Sequence, residues 1–135
     1  RVLFRSGDYD SNFWLSTITL DERLRVRGQE NAYRQVITGA VGGAAGVIHA
    51  AGTATTDCQP NDNVEAMRMA LDQAGVEARP VWKPMHRQPV YKDAPAYVNG
   101  VSEVIFKVGM CLPSGPYVTD EDVAYIVDCI KKNIL

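Results

Sequence analysis

The chain reads as a small α/β domain, α+β in arrangement, with one sheet and helices packed against it. Three observations carry that reading. Asn12 to Leu20 (NFWLSTITL) is dense in aromatic and β-branched residues, as a strand should be. Val64, Met67, Ala70, Leu71 and Ala74 recur at helical spacing, as do Val123, Ile126, Val127 and Ile130. Two short segments that read as strands, Val76 to Trp82 and Met110 to Leu112, lie between helical patterns and lead into prolines.

Taken in order, the first strand places Trp14, Ser16, Ile18 and Leu20 on one side and Phe13, Leu15, Thr17 and Thr19 on the other. Asp21-Glu22 ends it. Residues 22–61 then lack any clear helical or alternating period, with Gly39, Gly42, Gly43, Gly46 and Gly52 set among alanines. Glycine weakens a helix and alanine packs poorly in a sheet, so neither regular form is favoured. The expectation is a short helix or strand over Asn31 to Thr38 and a mobile, weakly structured loop over Gly39 to Thr56. The GAVGG run would suit a phosphate cradle, but no Lys-Ser/Thr follows and there is no GxGxxG.

Asn61-Asp62-Asn63 supplies N-caps for the first helix, with Met67 as core filler and Met69 at the surface, and Gly75 suits its left-handed C-terminal cap. Val76 to Trp82 is the second strand. Val101 to Val108 reads as a second helix, capped by Asn99 or Ser102 and closed by Gly109. Met110 to Leu112 is a strand stopped by Pro113. Thr119 opens the last helix with Asp122 three residues on, an acidic variant of the capping box. Val123, Ile126, Val127 and Ile130 form its expected buried stripe, and Lys131 and Lys132 suit its negative dipole end.

Composition bounds the function. A chain of 135 residues is about one domain long, and its 46% hydrophobic and 22% charged residues are those of an ordinary globular protein. A net charge of −2 offers no electrostatic grip on nucleic acid or a membrane surface. Cys58, Cys111 and Cys129 are widely separated with no CxxC pair, which supports neither a disulfide framework nor a zinc site. Reduced cysteines, the absence of a signal peptide and the absence of a membrane-length apolar run point to the cytoplasm. The chain starts at Arg1 without a methionine, which fits a fragment better than a whole protein.

The stretch richest in chemistry is Arg79 to Tyr91 (RPVWKPMHRQPVY), with cations, two aromatics and a histidine among three prolines. Proline fixes φ, removes a donor and restricts the residue before it, so the expectation is a stiff, extended arm leaving the second strand at the sheet edge. Lys83, His86 and Arg79 at set distances would suit an anionic ligand. The alternative is a proline-rich connector whose aromatics cover a core.

With SNFWLS at 11–16, NGVS at 99–102, MCLPSG at 110–115 and TDEDV at 119–123, this arm closely resembles the C-terminal part of the pyridoxal phosphate-dependent sugar aminotransferases of the DegT/DnrJ/EryC1/StrS family. The resemblance covers residues 9–21 and 62–135, and it makes the stretch at about 22–61 an insertion. It implies a single C-terminal domain over residues 1–135, a full-length homodimer, a nucleotide-sugar substrate and an amino-acid donor. In that family the lysine that carries pyridoxal phosphate lies in the large N-terminal domain, so no catalytic residue is assigned here. By the same resemblance Lys83 meets the nucleotide diphosphate as a point charge, His86 bonds the sugar or cofactor, Arg79 clamps phosphate and Trp82 stacks on base or ring. For each a plainer role stays open: backbone support for His86, core packing for Trp82, a surface position for Arg79. A non-catalytic sugar- or nucleotide-binding module of the same fold is the other reading of the whole.

Overall fold

A computed structural model describes residues 14–32 and 58–135. The loop expected at Gly39 to Thr56, and all but the first two residues of the element expected at Asn31 to Thr38, lie outside the described residues. The element order is β1 (Ser16–Thr19), α1 (Asp62–Gln73), β2 (Arg79–Pro80), α2 (Val101–Val108), β3 (Gly109–Leu112) and α3 (Asp120–Asn133). Strand β3 is central and antiparallel to both neighbours, in the order β1-β3-β2. Its register sets Ser16 opposite Leu112 and Thr19 opposite Gly109 on one side, and Arg79 opposite Cys111 on the other. The α+β class expected from the sequence is the class observed.

Helix α1 forms where the caps place it. The Asn61 side chain accepts from Val64 N at 2.9 Å, and Gly75, at φ 75°, takes the left-handed conformation that costs glycine nothing. Val64, Met67 and Leu71 are wholly buried, and with Met110, Leu20, Val76, Ala78, Ile126 and Cys129 they form the core. Met69, expected at the surface, is half-buried. Burial extends round the helix, taking in Asn63, Glu65 and Arg68. Asn63 Nδ2 donates to the carbonyls of Asp21 and Leu24, at 3.2 Å and 2.8 Å, and so ties the turn after β1 to the start of α1. Arg68 donates to both oxygens of Glu65, at 3.0 Å and 2.7 Å, the pairing a buried charge requires.

Several expectations give way. The second strand shortens to Arg79–Pro80, because proline brings no N–H to a ladder and is tolerated at an edge. Helix α2 is not capped by a side chain at its N-cap: Gly100 sits there at φ 83°, with Asn99 Oδ1 accepting from Val101 N at 3.2 Å. Gly109 does close α2, as its C-cap in extended backbone with its N–H on the Ile105 carbonyl, and it also begins β3. The stripe of α3 also rotates. Ile126 and Cys129 are buried and Ile130 half-buried, whereas Val123 and Val127 are 49% and 38% exposed. One face of α3 packs on α1, and that face follows 126–129–130 rather than the broader apolar stripe.

The arm is the largest correction. It is not extended: Met85–Arg87 and Pro89–Tyr91 form two 3-10 turns. The φ that proline imposes also suits such turns, and Arg87 N to Pro84 O at 2.9 Å and Tyr91 N to Gln88 O at 2.9 Å close them. Gln88 Nε2 donates back to Lys83 O at 3.0 Å, which holds the first turn on its own base.

Two outcomes test this architecture. At Gly109 an added Cβ would lie 2.6 Å from the Ile105 carbonyl oxygen and 2.9 Å from a Val81 methyl. Gly109→Ala should therefore lower stability by about 1–3 kcal/mol in urea unfolding, as overpacking does; an unchanged midpoint would contradict this. At the start of α3, Thr119 Oγ1 accepts from Asp122 N at 3.2 Å, while Asp122 Oδ2 accepts from Thr119 N at 2.9 Å. The Thr119 backbone and hydroxyl hold the Asp122 carboxyl below its ordinary range. A depressed carboxyl stabilises the fold above its unfolded value and loses that contribution as pH falls through the folded one. The stability advantage of the wild type over Asp122→Asn should thus be full at neutral pH and vanish in acid, read from melting temperatures across that range.

Candidate functional site

Several of the motif blocks separated in sequence meet around the arm. Trp82 leaves β2 and stacks on Trp14, which leads into β1, with ring centroids 5.8 Å apart and planes inclined at 36°. The rings are 67% (Trp14) and 66% (Trp82) exposed, so Trp82 is a surface aromatic and its core-packing alternative falls. Ser114 of the LPSG turn donates from Oγ to Trp14 O at 3.0 Å, so three motifs share one contact region. Tilted stacking of this kind satisfies the ring quadrupoles.

His86 lies on the first 3-10 turn and points to the first turn of α2. Its Nε2 is 2.7 Å from Glu103 Oε1, and both side chains are largely withdrawn from water, at 18% and 19% exposure. Arg87 Nε approaches the same oxygen at 3.6 Å, and Ser102 Oγ donates to Glu103 Oε2 at 3.4 Å. The hydrogen bond from His86 is the main cause that holds the Glu103 carboxyl below its ordinary value, against a smaller opposing effect of burial. The histidine is therefore tied to a carboxylate on another element, not to backbone.

Lys83 is half-buried at the foot of the same turn. Arg79 sits apart in its bonding: Nε donates to Glu77 Oε1 at 2.8 Å, Nη2 contacts the same oxygen, and both side chains are exposed. The arm thus groups Trp82, Lys83 and His86, while Arg79 is engaged by Glu77, two residues back in the segment before β2.

Glu103 is the residue that sequence reasoning missed. An acidic residue in a first helical turn reads as a complement to the helix dipole, and no local spacing announces a histidine 17 residues earlier. Among the described residues no group of three or more His, Cys, Asp or Glu could hold a metal ion, and no helix is long and apolar enough to cross a membrane. Cys58 and Cys129 are buried and Cys111 half-buried, and none of the three is in a disulfide.

Comparison with known proteins gives the family. Residues 29–131 match the DegT/DnrJ/EryC1/StrS aminotransferase family, and the chain belongs to that family. It is also 38% identical over 124 residues to EpsN of Bacillus subtilis (strain 168), a protein named as a candidate pyridoxal phosphate-dependent aminotransferase. That match takes in 89% of this chain and 22% of the length of EpsN, so the chain spans under a quarter of the curated relative.

The aromatic pair is open to test. A double-mutant cycle on Trp14→Ala and Trp82→Ala, read by urea unfolding, should return a coupling of about 0.5–1 kcal/mol. Strictly additive losses would mean that the rings only adjoin.

Proposed function

We propose that this chain is the C-terminal domain of an aminotransferase that moves an amino group from an amino-acid donor to a nucleotide-linked keto sugar. Its share is the substrate-facing wall and part of the dimer contact. The observation that carries the reading is the arm: in a chain of this family, Trp82 and Lys83 lead directly into a 3-10 turn on which His86 is braced against Glu103 of α2. Lys83 would meet the nucleotide diphosphate, His86 the sugar near the reacting carbon, and the exposed face of Trp82 the base or ring. Arg79 would reach phosphate only by exchanging its Glu77 partner.

Membership of the family implies pyridoxal phosphate as cofactor of the full-length enzyme, where it acts as the electron sink of transamination. The described residues do not themselves fit that group. Lys92, Lys107, Lys131 and Lys132 are exposed, Lys83 is half-buried on the arm, and the one buried carboxylate, Glu65, is occupied by Arg68. A sheltered lysine and a free acid for the pyridine nitrogen belong to another part of the enzyme. Val101, Val104 and Ile105 give α2 an exposed apolar side, which favours a chain that packs on further polypeptide of a homodimer in the cytoplasm.

Steady-state kinetics of the full-length enzyme test the assignment. Lys83→Ala should raise KM with little change in kcat, because a charge contact present in both ground and transition states is lost. His86→Ala should lower kcat more than it changes KM. Lys83→Ala should cost no more than about 1 kcal/mol of stability. Normal kinetics with strongly lowered melting temperatures would show that the arm is only structural.

The cofactor expectation has its own check. The 135-residue chain alone should form no aldimine absorbance band on titration with pyridoxal phosphate. A band abolished by Lys83→Ala would overturn the assignment of the cofactor lysine to another domain.

A further inference from the structure

We propose that Glu103 is a positioning residue for His86, fixing the imidazole in one tautomer with Nδ1 turned outward as a hydrogen-bond acceptor. The inference builds on the reading of His86 as a substrate-facing group. Its basis is geometric. The Nε2 to Oε1 separation is 2.7 Å, as short as a charge-assisted bond. An ionised carboxylate can only accept, so Nε2 must carry the proton of this bond. In the neutral ring the proton count then leaves Nδ1 as a lone pair. No hydrogen bond to Nδ1 occurs among the described residues.

Both partners are held independently of each other. His86 stands on a turn closed by the bond from Arg87 N to Pro84 O. Glu103 stands in the first turn of α2, with Ser102 Oγ on its second oxygen at 3.4 Å. The charged groups that face the pair are Glu103 itself from α2 and Arg87 from the arm, whose Nε lies 3.6 Å from the shared oxygen. The guanidinium adds to the reasons for the carboxylate to stay ionised. A group that supports a reactive imidazole in this manner sets both its orientation and its basicity, and removing such support commonly costs about 10-fold to 100-fold in activity.

The test combines spectroscopy with kinetics. Long-range proton–nitrogen correlation spectra of histidine-labelled protein, at a pH where the ring is neutral, should show His86 as a single Nε2–H tautomer. A His86→Gln variant identifies the signals. Glu103→Gln should lose that single-tautomer signature, since an amide can donate as well as accept, and Glu103→Asp should restore part of it. In the full-length enzyme Glu103→Gln should lower kcat by about 10-fold or more with little change in KM. It should add nothing to the effect of His86→Ala. An unchanged tautomer in Glu103→Gln, with or without a lower melting temperature, overturns the proposal and leaves Glu103 as a structural brace. Full activity in His86→Ala overturns instead the placement of His86 at the substrate, whatever the tautomer shows.

Discussion

The burial of α1 against the central strand β3 is the constraint on which the rest of this domain depends. Val64, Met67 and Leu71 from the helix and Met110 from the strand are completely enclosed. Each such side chain contributes about 1.5–3 kcal/mol relative to exposure. Once β3 is seated, the ladder places β1 on one edge and β2 on the other, and both segments that carry tryptophan leave from those edges. The carbonyl of Lys107 accepts from Asn61 N at 2.8 Å, so the same packing also joins the end of α2 to the start of α1.

That junction matters for the site. Helix α2 passes into β3 without a loop, and Gly109 makes the passage because no Cβ fits between the Ile105 carbonyl and Val81. The first turn of α2 is thereby held at a fixed offset from the strand pair β2-β3. The arm that departs from β2 must fold back to reach it. Pro84 and Pro89 permit the fold by supplying the dihedral angles of tight turns, and the His86–Glu103 bond closes the circuit. Rigidity here comes from three small devices in series, not from a large core.

The outer surfaces have another character. Apolar side chains of α2 and α3 stay exposed although both helices are amphipathic in sequence. Val123 and Val127 extend the stripe that a lone helix would bury, and Val101, Val104 and Ile105 do the same on α2. Such apolar area at the surface of a domain can pack against another polypeptide.

The amino-acid sequence by itself determined what depends on neighbours along the chain. The caps at Asn61 and Thr119, the glycine stop at Gly75 and the periodicity of α1 each rest on contacts within about four residues. The family, too, was legible in the order of the motif blocks. Tertiary structure decided the rest, because it depends on distance through space. Only packing on α1 selected Ile126 and Cys129 over Val123 and Val127. The two turns of the arm are closed by bonds between near neighbours, but their placement beside α2 is a matter of the fold. And only the fold brought Glu103 to His86 and Trp14 to Trp82, since a side chain carries no local signal for a partner that the backbone reaches by a separate path.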